Sequence, residues 1–225
     1  GRYDRTKASQ NRNKLYYELN NKLLDVNTLY VIDNINHLRY LKYLYQSEDV
    51  GFFFIDDVWL MAPGYQSKMS DSDYDNLRKI KLVEIQENIE HKFNSYESNK
   101  ALGFGWTFSS ESEGIWTEGN ELNIFFSFKP KIQKPYNLKL KINSSIAKKD
   151  KYLTGSIRFN GKKIQNFKFR NSSKEFINIL IPELDFDNKY YKIDVIIDNP
   201  VSPLDLLQSA DGRMLGLLIE SIEIL

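Results

Sequence analysis

The chain has 225 residues, with 31 Lys and Arg against 30 Asp and Glu, a formal net charge of +1 and no Cys. A hydrophobic share of 41% beside 27% charged residues is a globular balance, which excludes disorder along the whole chain. The even charge gives no electrostatic footprint for nucleic acid, and the missing Cys excludes disulfides, thiolate zinc sites and a Cys nucleophile. Two His, His37 and His91, leave almost no material for a His-built metal centre. No apolar run approaches the roughly 20 residues a bilayer span needs, and the N-terminus lacks a signal-peptide pattern. The abrupt opening Gly1-Arg2-Tyr3-Asp4-Arg5 suggests a fragment or processed product, with any targeting signal or membrane anchor expected upstream.

Taken in chain order, Asn11–Leu24 carries Leu15, Leu19 and Leu23 at four-residue spacing and predicts an amphipathic helix. Thr28–Ile32 is a short β-rich run ending at Asp33, and Asn34–Gln46 is again helical through Ile35, Leu38, Leu41 and Leu44. Gly51–Leu60 is apolar and aromatic, a buried strand interrupted by Asp56-Asp57. Asp71–Arg78 predicts a helix with an acidic first turn, which suits the macrodipole, and Lys81–Gln86 a further strand. Strands and helices alternating over short connections predict a small α/β unit for residues 1–98. The polar stretch Asn94–Lys100 reads as a linker.

From residue 101 the hydrophobic period is two. Leu138, Leu140 and Ile142 form one apolar row, Ile177, Ile179 and Ile181 another, and Ile193, Val195 and Ile197 a third. Asn160-Gly161 is a strong hairpin signal, and the change of phase at Ser221 predicts a bulge. About eight short alternating strands predict a jelly-roll-like antiparallel β-sandwich over residues 101–225. Pro200–Gln208 reads as a helical turn inside a long loop. The fold class expected is therefore α+β in two parts.

The most distinctive stretch runs from Gly103-Phe104-Gly105-Trp106 to Glu113-Gly114-Ile115-Trp116. Two Trp ten residues apart beside carboxylates suit a sugar platform, because an indole face stacks on the C–H face of a pyranose while carboxylates take its hydroxyls. Core packing explains the same residues. Asp211-Gly212-Arg213 reads first as an ion pair that locks a loop, and second as a hydroxyl or phosphate site. Trp106, Glu113, Trp116, Asp211 and Arg213 are thus the candidate ligand residues. Asp33, Asp56 and Asp57 are the carboxylates from which acid–base catalysis would have to be built. No G-x-S-x-G and no complete G-x-G-x-x-G is present. No catalytic residue, metal ligand or cofactor is assigned.

Gly1-Arg2-Tyr3-Asp4-Arg5, Leu24–Val31 and Gly51-Phe52 with Ala62-Pro63-Gly64 resemble the soluble C-terminal region of a bacterial multi-pass membrane protein family. That family has no established activity and is related to GT-C-type membrane glycosyltransferases using lipid-linked sugars. Gly105-Trp106, Glu113–Trp116, Asn199–Pro203 and Asp211–Gly216 resemble the jelly-roll domain appended to envelope polysaccharide proteins. The resemblance implies a non-catalytic extracytoplasmic module in cell-envelope glycan assembly, at the outer face of the inner membrane. Its implied partners are a glycan or lipid-linked sugar and an upstream transmembrane region. No catalytic residue carries over, because the membrane part is not in this sequence. Two alternatives stand beside this: a glycan-active hydrolase or transferase using Asp33, Asp56 and Asp57, and a protein-interaction domain.

Overall fold

The computed structural model describes residues 14–45, 49–95, 98–107, 111–132, 134–144, 146, 152–170, 175–181 and 190–225. No helix among them is long and apolar enough to cross a membrane. The first helix, α1, is described over residues 14–20 and ends in a turn where Lys22 takes φ 57°. Strand β1 (Tyr30–Ile32) leads into α2 (Ile35–Leu44), whose N-cap Asn34 accepts from the Asn36 N–H. The 51–60 run is not one interrupted strand. It is a hairpin of β2 (Val50–Ile55) and β3 (Val58–Pro63), turned by Asp56 and Asp57 at φ 48° and 64°. Helix α3 (Asp71–Lys79) starts at a capping box between Ser70 and Asp73. Its order β1-β3-β2 makes this small sheet antiparallel throughout.

The predicted strand at 81–86 is reduced to a single parallel bridge, Glu84 to Ser127. Its residues nevertheless belong to the sandwich. Ile85 and Phe93 lie in the sandwich core, and β4 (His91–Lys92) pairs with β12 (Leu215–Ile224). The polar stretch at 94–100 predicts a boundary there. In the structure, sheet pairing and core packing both begin ahead of that stretch.

The remaining strands are β5 (Ile115–Glu118), β6 (Glu121–Phe126), β7 (Tyr136–Asn143), β8 (Leu153–Phe159), β9 (Lys162–Phe169), β10 (Glu175–Ile181) and β11 (Tyr191–Ile197). One sheet has the order β10-β7-β12-β4, with β5 also on β12; the other has the order β6-β11-β8-β9. Apart from the β8–β9 hairpin, successive strands from β5 to β12 alternate between the two sheets, as in a jelly roll. The fold is α+β, with an antiparallel β-sandwich. Its core is the apolar alternation seen in the sequence: Leu138, Leu140, Ile142, Ile179, Ile193, Val195 and Ile197 are all fully buried. The Asn160-Gly161 turn closes β8 on β9, and the β12–β7 register shifts between Ile219 and Ser221, where the phase change predicts it. Residues 203–208 form hydrogen-bonded turns, not a helix.

A second apolar cluster lies outside the sandwich. Leu19, Leu38, Tyr40, Leu41, Phe52 and Met61 pack there with Phe104 and Phe125 of the sandwich chain. The rings of Tyr40 and Phe125 meet edge to face at 5.2 Å. The two helices therefore cover part of the outer face of the four-stranded sheet. That covering builds the pocket described next.

Candidate functional site

On the outer face of the four-stranded sheet, register places Glu121 opposite Ile196, and Asn123 opposite Asp194. Asp194 in turn stands opposite Arg158. These are the polar positions of strands whose other face is the core, so alternation alone turns them outward. Helix α1 lies across them. Asn20 donates from Nδ2 to Glu121 and accepts from the Tyr40 hydroxyl. Below that contact, Asp194 is 2% exposed and accepts from Asn123 Nδ2 at 2.6 Å, with Lys192 Nζ at 3.2 Å.

The result is a pocket of about 450 Å³, lined among others by Tyr16, Tyr17, Phe104, Glu121, Asn123 and Arg158. Asn20, Asn21 and Asn120 add three more amides. This lies within the range of about 300–1,000 Å³ usual for small-molecule sites. Tyr16 stacks on Phe104 with centroids 4.4 Å apart and planes 10° apart, and His37 meets both rings edge to face. Tyr17 beside them is 53% exposed. Phe104 reaches this wall because Gly105 turns with φ 83°, where a Cβ would sit 2.2 Å from the Glu121 carbonyl oxygen. The chain before it clamps to β6 through Gly103 N–H to Asn123 O and Asn123 N–H to Phe104 O. The Asn123 side-chain oxygen is buried and accepts no hydrogen bond. Burial and then Asp194 push the Glu121 carboxyl above its ordinary value, against the pull of Lys192 and Arg158. Burial, reinforced by Asp194 and Glu121, raises the Tyr40 phenol well above its own.

The residues singled out from sequence fall in three places. Trp106 packs against the sandwich core, half-buried, and donates from Nε1 to Asn123 O at 2.9 Å. Trp116 lies on β5, one residue out of phase with the core residues Ile115 and Thr117, and is half-buried. Its Nε1 donates to Glu111, not to Glu113 or Glu118. The reason is a tight turn in which Glu111 and Gly114 exchange backbone hydrogen bonds. Glu113, at the tip of that turn, faces a shallow cleft with Glu90, Lys92, Lys141 and Glu220 instead. Glu118 is buried. Arg213 forks onto Asp211 through Nε and Nη2, and the Glu118 and Glu111 charges add to the hold on its positive form. Trp116, Glu111, Asp211 and Arg213 thus form one electrostatic neighbourhood, remote in sequence from the 450 Å³ pocket residues other than 104 and 120–123.

Asp56 and Asp57 form the exposed tip of the β2–β3 hairpin, and Asp33 borders an adjoining apolar groove of about 520 Å³ with Leu29, Val31 and His37, which shares Tyr16 and Phe104 with the pocket. Among the described residues no group of three or more His, Asp or Glu could hold a metal ion. The pocket residues Tyr16, Tyr17, Asn20, Glu121, Asn123 and Arg158 were missed in the sequence. The available signal was the pair Tyr16-Tyr17 followed by Asn20-Asn21 on one helix, with polar residues inside otherwise apolar strands.

No protein-family model and no curated protein matches the chain. Solved structures give distant likenesses. A family 35 carbohydrate-binding module from an environmental isolate is 15% identical with a TM-score of 0.34, over 64% of this chain and 84% of that one. Carbohydrate-binding module CBM36 in complex with calcium and xylotriose is 15% identical with a TM-score of 0.35, over 61% and 98%. A Bacillus thuringiensis Cry1Da tryptic core variant is 11% identical with a TM-score of 0.39, over 75% and 26%. Likenesses this distant carry no argument about ligand or activity, and the sandwich assignment rests on the strand pairing itself.

Proposed function

We propose that this chain is a non-catalytic carbohydrate-binding module whose site is the pocket between α1 and the four-stranded sheet. One observation carries the reading: an aromatic surface and a polar surface of amide, carboxylate and guanidinium groups line one cavity of about 450 Å³. A sugar ring needs that pair of surfaces. Its C–H face stacks on an aromatic ring, and its hydroxyls both donate and accept. The mixed charge of Glu121 and Arg158 suits a ligand rich in hydroxyls better than an apolar one. In the finer form of the proposal, which the sequence resemblance supports, the module serves cell-envelope glycan assembly. It would act at the extracytoplasmic face of the inner membrane, next to an upstream transmembrane region.

The test is a glycan array followed by titration calorimetry. Tyr17 is exposed, so Tyr17→Ala leaves the fold intact. The expected outcome is sugar binding by the parent chain and a loss of tenfold or more in the variant, since a stacked aromatic ring contributes roughly 1 kcal/mol or more beyond area alone. Array-wide silence, or equal binding by parent and variant, would sink the proposal.

A further inference from the structure

Arg158 brings to the pocket a positive charge that acts on Glu121 at a distance but closes no ion pair with it. Asp194, directly opposite it in register, is the obvious counter-ion. Yet Asp194 is committed elsewhere, to Lys192 at 3.2 Å and to Asn123 at 2.6 Å. Glu121, the acid that lines the pocket, is held by the Asn20 amide. Among the described residues the Arg158 guanidinium makes no hydrogen bond and no ion pair, although the residue is half-buried at the pocket wall. A guanidinium is always charged and presents its donors in a fixed planar fork, which matches a carboxylate through two parallel hydrogen bonds.

We infer that the pocket selects a sugar bearing one carboxylate, a hexuronic acid, and that Arg158 binds that carboxylate. This rests on the carbohydrate-binding reading above. A carboxylate on the sugar ring leaves the neighbouring hydroxyls to the amides of Asn20, Asn21 and Asn120. Glu121 and Asp194 set the upper limit on charge. A second negative charge in the same cavity would meet the Glu121 carboxyl on its lining and the field of Asp194 buried beneath it, so a phosphate dianion is disfavoured against a single carboxylate.

Calorimetry on the whole chain separates the outcomes, with three probes: a uronic-acid oligosaccharide, its carboxyl-reduced neutral counterpart, and a sugar phosphate. The uronate is expected to bind about tenfold more tightly than the reduced sugar. Arg158→Gln should cost the uronate more affinity than the neutral sugar and so remove that preference, and Arg158→Lys should restore part of it. Unchanged thermal unfolding of both variants checks that the fold is retained. If the neutral sugar binds as tightly as the acid, or if Arg158→Gln leaves the preference intact, this inference falls and the carbohydrate reading stands. Tighter binding of the sugar phosphate overturns the carboxylate assignment alone. No binding of any sugar overturns both.

Discussion

Glu121 meets two opposing demands. It closes the contact with α1 through Asn20, and it lies beside Asp194 in a partly desolvated place. Burial and the like charge win, so its folded pKa is raised. A carboxyl raised on folding favours the protonated form. Its contribution to stability is complete below the unfolded value near 4.5 and is lost as pH climbs through the folded value. Near neutral pH its charge is therefore a cost. Glu121→Gln keeps the carbonyl acceptor for Asn20 and removes the charge. Its melting temperature should exceed that of the parent at pH 7, with the gap closing toward pH 4. Thermal denaturation at the two pH values checks this, and a lower melting temperature at pH 7 would mean that Lys192 and Arg158 outweigh the burial. Partners at this scale were poorly legible in the sequence. Glu113 and Glu118 are nearer to Trp116 in sequence than Glu111, but a tight turn and strand alternation decide which carboxylate meets the indole.

The β2–β3 hairpin shows what periodicity reveals about an element and what it hides. Its strands were legible as apolar and aromatic residues, but the reversal was not, because Asp-Asp is a weak turn signal. The β8–β9 hairpin, turned by Asn160-Gly161 at φ 48° and 80°, was read from sequence because that dipeptide suits two left-handed residues. Asp56 and Asp57 occupy the same backbone region at φ 48° and 64°, where a Cβ is disfavoured. Installing the better pair, Asp56→Asn with Asp57→Gly, should stabilise the chain by about 0.5–2 kcal/mol. Chemical denaturation would show it as a higher midpoint at constant slope. The substitution is at an exposed tip, away from the pocket, so sugar affinity should not change. The alternation of β7, β10 and β11 was legible for the converse reason: one face is core and the other is not, so the period is written along each strand. Residues 81–86 failed as a strand because they join the sandwich through one bridge and through Ile85, without a ladder.

At the scale of the molecule, composition and packing point to different joins between the two parts. The polar stretch at 94–100 looks like a linker, while the residues just ahead of it are bound into the sandwich. Phe93 is fully buried in its core, Ile85 nearly so, and His91–Lys92 pairs with Ile222 and Ser221 of β12. Truncation distinguishes the two boundaries. A fragment of residues 101–225 loses Ile85, Phe93 and β4 together. Each large buried apolar side chain is worth about 2–5 kcal/mol, against a typical total of about 5–15 kcal/mol for a domain. That fragment should fail to unfold cooperatively. A fragment of residues 81–225 retains all three and should unfold in one cooperative transition, at lower temperature than the whole chain, because Phe104, Phe125 and Asp194 lose their cover. It should also lose sugar affinity, since Tyr16, Tyr17 and Asn20 go with α1 while Glu121, Asn123 and Arg158 remain. Melting by circular dichroism and calorimetry on the two fragments reads both effects. Cooperative unfolding of the 101–225 fragment would return the boundary to the polar stretch. Undiminished sugar binding by the 81–225 fragment would move the site off the helix–sheet pocket, toward Trp116 and Arg213, which that fragment keeps.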